Sequence, residues 1–465
     1  MAQGAKRRGR RLGAAIAGVL GLWAGGASVA PDAIAAEAGE PADVAAEGRS
    51  LTAEFNLEWA VGTHDGESQK LEFRVEPTLR LDLPAGFQLG AIGRLRGDAF
   101  DRLEPGAPRE LDVAPYTRPV DFGDRVALEL RELYVQGKLG PAWLRVGKQQ
   151  VVWGQADGLK VLDLVDPQDF REFILPVFED SRIPLWTLNT EIPIGAAQLQ
   201  LLWIPDPSAH HVPPQDGIFA FTAPRLVGPR PPPGIAVDLR NPDLPSNALH
   251  NSDAGARLSA FWHGFDLSAN ALWHWDDVPI PYRSLELAGA IPTVVVTPGY
   301  RRTAVIGGSA SNAFGNLTVR AEAAYTTRRF LPVDDIADTD GVTETGEFGA
   351  VLGFDWYALP ETLFSAQVFP TVLTDHPAGS LRDRIDTNVT LLARRQFRNE
   401  TLTLETIWIH NLNQGDGLVR PKIHYALRDD LQVWFGFDVF YGTRNGVFGE
   451  FGGDDRVVLG FEWGI

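Results

Sequence analysis

Hydrophobic and polar residues alternate along most of this 465-residue chain. In residues 71–82 (LEFRVEPTLRLD), and again in 265–273 and 315–326, apolar side chains occupy every second position. A period of two over such lengths predicts a β-strand with one apolar and one polar face. Beyond the opening residues, no stretch of the sequence shows a long helical period. The pattern therefore predicts an all-β protein.

Eighteen strands can be placed in this way, and sixteen is the fallback because 185–194 and 419–426 alternate poorly. Most have the roughly 9–11 residues that cross a bilayer when a strand is tilted. Pro77 lies inside the second strand, where its missing N–H predicts a bulge or a split. The strands are placed near residues 51–60, 70–82, 86–97, 126–137, 142–152, 185–194, 197–204, 254–263, 265–275, 302–311, 315–326, 347–357, 361–370, 386–397, 400–410, 419–426, 431–441 and 456–465.

The segments between these strands alternate between long and short, as external loops and periplasmic turns do in a membrane barrel. We therefore predict a transmembrane, antiparallel, up-and-down β-barrel. Tryptophan positions support this prediction, because aromatic side chains form girdles at both membrane interfaces. Predicted external strand ends carry Trp59, Trp203, Trp273 and Trp408, and periplasmic ends carry Trp143, Trp262, Trp356 and Trp463.

The N-terminus has the parts of a secretory signal peptide: basic residues at 6–11, an apolar run near 12–30, and the cleavage pattern Ala33-Ile34-Ala35. We assign residues 1–35 to the signal peptide, 36–50 to a periplasmic segment and 51–465 to a barrel in the Gram-negative outer membrane. Such a barrel would contact outer-membrane lipid and lipopolysaccharide. Its alternating C-terminal strand, ending at Ile465, resembles the signal that the outer-membrane assembly machinery recognises.

Composition narrows the function. A formal net charge of −18 argues against nucleic acid as a partner, because phosphate binding needs a basic surface. The chain has no cysteine and contains neither a G-x-S-x-G nor an H-E-x-x-H motif. The adjacent His210 and His211 would point in different directions in extended chain. We therefore expect no enzyme activity, no metal and no cofactor.

If the apolar faces meet lipid, the polar faces line a lumen that is too wide for side chains alone to fill. Charges of both signs in such a lining can orient solutes at a constriction. The alternative is a set of salt bridges that only stabilises a polar interior. The predicted channel-lining residues are Arg74, Arg94, Arg96, Glu129, Arg131, Arg145, Gln149, Arg320, Glu322, Asp355 and Arg394.

The third external loop, residues 153–184, combines apolar residues with many carboxylates. Asp166-Pro167 predicts the start of a short helix that Pro176 ends, with Phe170, Phe173 and Ile174 on one face. Because so apolar a loop is unfavourable in water, we predict that it folds into the barrel mouth and narrows it. Arg171 and Arg182 are expected to form ion pairs within the loop. The predicted constriction residues are Trp153, Asp157, Asp163, Asp166, Asp169, Arg171, Glu179, Asp180 and Arg182.

The run LRVGKQQVVWGQADGLKVLDLVDPQDFREFILPVFEDSRIPLWTLNTEIPIG resembles the signature of an uncharacterised Gram-negative outer-membrane β-barrel family, a domain of unknown function. The resemblance covers about residues 126–204 and implies a large porin-like barrel. It also implies a periplasmic partner and an exporter of the resistance–nodulation–division type, and movement of apolar or lipid-like molecules. It implies no catalytic or binding residue.

Three hypotheses follow. The first is an outer-membrane, porin-like channel that moves small molecules, apolar or lipid-like ones among them. The second is a non-transport protein of the outer-membrane surface or envelope, with a structural or binding role. The third, an outer-membrane hydrolase, is disfavoured because the sequence shows no combination of nucleophile and base.

Overall fold

The computed structural model describes residues 48–106, 117–156, 158–229, 231–242, 244–245, 247–287, 291–335 and 338–465. The predicted signal peptide, most of the predicted periplasmic segment, and Asp157 lie outside the described residues. The first strand begins at Arg49.

Eighteen antiparallel strands form a closed wall, in which the last strand pairs with the first between Glu54↔Gly464 and Gly62↔Arg456. The eighteen predicted strands are confirmed, and the fallback of sixteen is not needed. The wall strands are β1 (Arg49–Gly62), β2 (Ser68–Asp82), β3 (Gln88–Asp98), β5 (Val126–Leu139), β6 (Ala142–Gln149), β7 (Leu185–Ile194), β8 (Ala197–Ile204), β10 (Asp253–Trp262), β11 (Phe265–Trp275), β14 (Arg302–Phe314), β15 (Leu317–Pro332), β16 (Val342–Leu359), β17 (Thr362–Leu373), β18 (Ile385–Phe397), β19 (Leu402–Asn411), β20 (Asp416–Arg428), β21 (Leu431–Tyr441) and β22 (Arg456–Gly464).

Alternation along each wall strand separates an apolar outer face from the lumen. In β21, Phe435 and Phe437 are exposed on the outside, whereas Trp434 and Asp438 point inward and are buried. Exposed apolar side chains recur in this way along the wall strands. A water-soluble protein rarely exposes so much contiguous apolar surface, whereas a membrane barrel presents it to lipid. The chain is therefore a membrane-spanning barrel.

Six of the eight predicted girdle tryptophans are exposed on the barrel. They are Trp59, Trp203 and Trp273 near the ends with long loops, and Trp262, Trp356 and Trp463 near the ends with short turns. Trp143 and Trp408 are partly buried, and the indole of Trp408 donates a hydrogen bond to Tyr441 Oη at 2.6 Å. The girdle prediction is confirmed for the six exposed residues.

Four short strands lie outside the wall and were not predicted from the sequence. They are β4 (Val120–Asp121), which pairs with β5, and β9 (Ala236–Leu239), β12 (Ile280–Glu286) and β13 (Thr293–Gly299), which form a separate sheet in the long loops. In the part of the chain that the structure describes, the helical segments are the 3-10 turns Pro84–Gly86 and Gly449–Phe451 and the α-helical turns Phe178–Ser181 and Pro224–Val227. Among the described residues, every helix is too short or too polar to cross a membrane.

Pro77 is accommodated without splitting β2. The strand runs through it, and Pro77 pairs with Ala53 of β1. On the other side, the pairing of β2 with β3 skips from Val75↔Leu95 to Thr78↔Ile92, so the ladder is interrupted beside the proline. The missing N–H therefore faces a local gap in the sheet.

The predicted helix from Asp166 to Pro176 is wrong. The amide of Asp169 donates to Ser181 O at 2.6 Å, and the amide of Ile183 donates to Pro167 O at 2.8 Å. Phe173, with φ 53°, lies outside the helical region. Because neighbouring chain pairs with these backbone groups, they cannot form the i to i−4 bonds of a helix. The α-helix of this loop is the single turn Phe178–Ser181, after Pro176.

Candidate functional site

The loop of residues 150–184, which we call the constriction loop, leaves β6, crosses the lumen and returns to β7. Two apolar clusters hold it against different arcs of the wall. One packs Trp153 and Leu162 against inward side chains of β7, β8, β11, β14 and β15. The other packs Phe173 and Leu175 against β17–β21 and neighbouring external loops. The prediction that this loop folds into the barrel is therefore confirmed.

Two wall glycines allow the constriction loop to approach the sheet closely. A Cβ added at Gly255 would lie 2.9 Å from the ring of Trp153, and one at Gly307 would lie 2.6 Å from Leu162 Cδ2. The Trp153 indole also donates a hydrogen bond to Gln200 Oε1 at 2.8 Å. Trp153 thus acts as a buried anchor of the loop.

Glu172 is the main ionic contact between the loop and the wall. Its carboxylate lies 2.7 Å from Lys70 Nζ on β2 and 2.9 Å from Arg456 Nη1 on β22. The neighbouring Arg171 donates to Glu72 Oε2 of β2 at 2.7 Å. All five side chains are buried. Arg171 therefore pairs chiefly with the wall, whereas the sequence predicted a pair within the loop.

A second group of ionic contacts surrounds the turn Phe178–Ser181. The Asp180 carboxylate accepts hydrogen bonds from Arg74 at 2.7 Å and from Arg94 at 2.8 Å. Arg131 donates to the backbone oxygens of Glu179 and Arg182, both at 2.8 Å. These contacts bring the predicted loop carboxylates to the arginine-bearing wall of β2, β3 and β5.

Other charged residues stabilise the loop internally. Arg182 donates from Nε to Asp163 Oδ2 at 2.9 Å, so this predicted internal pair is confirmed. Lys160 Nζ lies 2.9 Å from the same oxygen. Asp166 Oδ2 accepts a hydrogen bond from the Val151 amide at 2.8 Å, and burial raises the pKa of Asp166 well above its usual range.

On the opposite wall, several predicted lining residues hold the loop or each other. Arg320 pairs with Asp355 at 2.8 Å and donates to the backbone oxygen of Gln155 in the loop at 2.5 Å. Glu322 accepts hydrogen bonds from the loop amides of Gln155 and Leu162. These contacts favour a structural role for Arg320, Glu322 and Asp355.

The remaining predicted lining residues divide between the lumen and the wall. Arg394 pairs with Glu405 at 2.6 Å, and Glu129 lies 3.5 Å from Arg131. Arg145 stacks on the Tyr134 ring at 4.7 Å. Gln149 is 0 % exposed and its amide donates to backbone oxygens, so the prediction that it lines a channel is wrong. Gly147, two residues before Gln149, has a φ of 133°, which glycine adopts readily.

His211 joins three external loops. Its Nε2 lies 3.1 Å from Glu104 Oε1, and its Nδ1 lies 3.1 Å from Asp169 Oδ1. Since each ring nitrogen faces a carboxylate oxygen, both must donate, and the ring is an imidazolium. Burial disfavours that charge, but Asp169 and Glu104 raise the pKa of His211 well above its usual range. In return, although burial favours the neutral acid, His211 lowers the pKa of Glu104 to about 2.

The adjacent His210 behaves in the opposite way. Burial lowers the pKa of His210 to about 3, and its Nδ1 accepts a hydrogen bond from the Gln168 amide at 2.9 Å. To accept this hydrogen bond, the Nδ1 atom of His210 must be unprotonated, so the ring is neutral. The two neighbouring histidines therefore hold the same loop by different chemistry.

The stability contributed by His211 should depend on pH. The folded-state pKa lies above the unfolded value of about 6.5, so the contribution is complete below that pH. It should decline as the pH rises above about 6.5 and vanish once the pH passes the raised folded value. We expect His211→Gln to remove this decline, because the amide side chain does not titrate.

Urea unfolding of the detergent-solubilised protein between pH 6 and 9, followed by tryptophan fluorescence, tests this expectation. The exposed His250 lies in the same external loop, and His250→Gln serves as the matched control. An identical pH dependence in His211→Gln and in the unmodified chain would contradict the imidazolium assignment.

Two cavities adjoin the constriction loop. The vestibule lies below it, with a volume of about 2500 Å³ including the part open to solvent, between β1–β3, β5 and β18–β22. The external cavity, of about 770 Å³ on the same basis, lies between residues 117–121 and the wall of β3 and β5. Both are lined by Arg94, Arg96, Arg131 and Asp169, so they meet at these four side chains.

The vestibule combines balanced charge with an apolar ceiling. Eleven acidic and eleven basic side chains line it. Its upper surface is formed by the partly exposed loop residues Ile174, Pro176, Val177 and Phe178. The buried side chains of Leu175, Ile407 and Ile409 lie behind them. Such a surface can contact both a polar and an apolar part of one molecule.

The family model described as "Protein of unknown function (DUF1302)" matches residues 121–419. The chain belongs to this family. The matched residues include the whole run whose resemblance to an outer-membrane family is described above. A search of curated proteins gives no match.

Solved structures of similar shape include the following three. OccK8 (OprE) of Pseudomonas aeruginosa has a TM-score of 0.49 at 10% identity, OccAB2 of Acinetobacter baumannii 0.48 at 11%, and the outer membrane protein OpdK of P. aeruginosa 0.47 at 10%. In each case the alignment covers 90% of this chain and 98% of the other. At such identity no residue role is carried over to this member of the family.

Several residues at the centre of the site were missed from the sequence. Glu172 lies inside the run REFILP, in the segment that the sequence predicts as a helix. An acid among apolar loop residues signals a buried ion pair. Its partners Lys70 and Arg456, and the His211 partner Glu104, come from distant parts of the chain. Lys70 and Arg456 are the first residues of two predicted strands, and no sequence signal links them to Glu172.

Proposed function

We propose that this barrel is a channel of the Gram-negative outer membrane that moves small molecules, apolar or amphipathic ones among them. The constriction loop divides its lumen into an external cavity and a periplasmic vestibule. Passage follows the wall of β3 and β5, where the two cavities meet. The periplasmic partner and exporter implied by the family resemblance stay predictions.

The observation that carries this proposal is that the two cavities meet at one group of side chains. Arg94, Arg96, Arg131 and Asp169 line both of them, so the external cavity and the vestibule adjoin the same four side chains at this point. Elsewhere in the lumen, the loop packs against the wall through its two apolar clusters. A narrow, charged passage beside a folded-in loop can select and orient solutes.

The charge pairing at the passage argues against selection of multiply charged ions. Arg94 is held by Asp180 and Glu76, and Arg96 by Glu104. Because each guanidinium already has a carboxylate partner, the passage offers no strong net field to an ion. The apolar ceiling of the vestibule supports an apolar part in the cargo.

Cysteine modification tests the route, since the chain has no cysteine of its own. Ala127 on β5 lines the external cavity and points into the lumen beside Glu129. We expect single-channel conductance in planar bilayers, and we expect Ala127→Cys to lose most of it after reaction with a bulky methanethiosulfonate reagent. The added group would fill the passage where the two cavities meet.

Ser268→Cys is the matched control. Ser268 lies on β11, bonds to Ser309 Oγ at 2.7 Å, and is not part of the lining of either cavity. Its modification should leave conductance nearly unchanged. Equal block of the two variants would refute the route along β3 and β5. If the purified barrel shows no conductance at all, the channel proposal fails in favour of the surface or envelope role.

A further inference from the structure

The vestibule contains a cation without an ionic partner. Lys422 of β20 lines it, and among the described residues no carboxylate lies within 4.0 Å of the Lys422 ammonium. The nearest acids are already paired. Glu58 is bonded to Lys70 at 2.8 Å, Glu405 to Arg394 at 2.6 Å, and Asp438 to both Arg420 and Arg456. A cation in a partly enclosed site normally has a counter-charge.

The sheet leaves room for this lysine to reach the cavity. Lys422 pairs with Gly436 of β21, and a Cβ added at Gly436 would lie 2.7 Å from Lys422 Cγ. The absence of that Cβ therefore leaves space for the lysine stem. A larger residue at 436 would displace the stem.

Lys422 lies directly below the apolar ceiling. Two residues earlier on the same face of β20, Arg420 donates from Nη2 to the backbone oxygen of Leu175 at 2.7 Å. β20 runs from its external end at Asp416 towards the periplasmic turn after Arg428, so Lys422 is about 7 Å nearer the periplasm than Arg420. On the adjacent strand, Ile407 pairs with Arg420 and belongs to the ceiling.

We propose that the vestibule binds amphipathic carboxylates, with the hydrocarbon part against the apolar ceiling and the carboxylate at Lys422. This deepens the proposed function, on which it rests, by naming a substrate class. A single ammonium matches a monoanion, because a doubly charged phosphate would leave one charge uncompensated beside Glu58 and Glu405. Apart from Lys422, eleven acidic and ten basic side chains line the vestibule, so this nearly balanced lining gives the rest of the molecule no strong field.

Equilibrium binding of radiolabelled decanoate to the full chain in lipid nanodiscs tests the site. We expect Lys422→Met, which keeps the stem and removes the charge, to weaken decanoate binding about tenfold, the value of one charge-assisted hydrogen bond. Binding of decan-1-ol should be unchanged by the same substitution. Acetate, which has no hydrocarbon tail, should not bind saturably.

Two further variants complete the experiment. Lys138→Met removes an exposed lysine of β5 outside the vestibule lining and should bind decanoate like the unmodified chain. Val177→Thr keeps the shape of a ceiling residue but adds a hydroxyl, and should weaken decanoate and decan-1-ol alike by several-fold. This second variant tests the ceiling without touching the charge.

Unchanged decanoate binding in Lys422→Met would overturn the proposal. So would an equal weakening of decan-1-ol binding in this variant, because the substitution would then disturb the fold and not a specific contact with the carboxylate. Conductance is measured on the same preparations. If decanoate binding depends on Lys422 but the barrel does not conduct, the channel proposal is wrong and the binding site stands. If the barrel conducts but decanoate binding does not depend on Lys422, the proposed binding site is wrong and the channel proposal stands.

Discussion

Glu172→Ala is expected to destabilise the folded barrel by about 3 kcal/mol and to release the constriction loop from the wall. The substitution leaves Lys70 and Arg456, both buried, without one of their carboxylates, and breaking a buried ion pair in this way costs about 3–5 kcal/mol. The lower end applies because Lys70 retains Glu58 and Arg456 retains Asp438. Urea unfolding in detergent measures the loss, and bilayer conductance should rise as the loop leaves the passage.

Glu67→Ala is the control for this prediction. Glu67 pairs with Arg102 on the outer surface, where both side chains are exposed, and such a pair contributes no more than about 1 kcal/mol. Glu172→Gln should fall between the two, because the amide oxygen still accepts a hydrogen bond. Unfolding of Glu172→Ala at the same urea concentration as Glu67→Ala would show that the loop is held by its apolar clusters alone.

Phe173→Ala is expected to destabilise the external side of the barrel by about 3–5 kcal/mol, the usual cost of removing a buried phenylalanine. The Phe173 ring lies 4.9 Å from the Phe451 ring and 5.7 Å from the Phe448 ring, centroid to centroid, so it joins the constriction loop to the loop before β22. The measurement is again urea unfolding, with limited proteolysis as a second readout of loop release.

The backbone at Phe173 makes this prediction more specific. Its φ of 53° is one that a residue with a Cβ adopts at a cost of about 1–2 kcal/mol and that glycine adopts freely. We therefore expect Phe173→Gly to be about 1 kcal/mol more stable than Phe173→Ala. At Phe219, which is fully buried in the same cluster and does not have a positive φ, the usual order should hold and alanine should be the better replacement.

The opposite order at Phe173, with alanine more stable than glycine, would mean that the backbone relaxes once the ring is removed. The comparison separates two contributions that a single alanine substitution combines. One is the packing of the ring, and the other is the conformation that the packing enforces.

The wall of this barrel could be predicted from the sequence because each strand carries its own signal. In β21, Phe435 and Phe437 alternate with Trp434 and Asp438, and the same period of two is visible without knowledge of any other strand. Each membrane strand faces lipid on one side and the lumen on the other, so its pattern of apolar and polar residues can be recognised within that strand alone. The number of strands and the alternation of long and short connections follow from it. The inward folding of the loop follows from its apolar composition.

The candidate site could be predicted only in part. Charges on the inner faces were visible, and Asp180 and Arg94 were both expected near a constriction. The failures occurred where a contact depends on distant chain. Gln149 was expected to line the lumen but turns into the sheet, and the helix expected after Asp166 is replaced by pairing of Asp169 with the strand-like segment at His211.

The sequence by itself determined that this chain is a membrane barrel with eighteen wall strands and a folded-in third loop, because lipid imposes one rule on every strand separately. Only the tertiary structure decided the path of that loop, its ion pairs and the shape of the cavities. Glu172 meets Lys70 and Arg456 because the first and last strands close the barrel beside each other. The free ammonium of Lys422 likewise exists only because the acids around it are taken by residues from other strands, which no local pattern records.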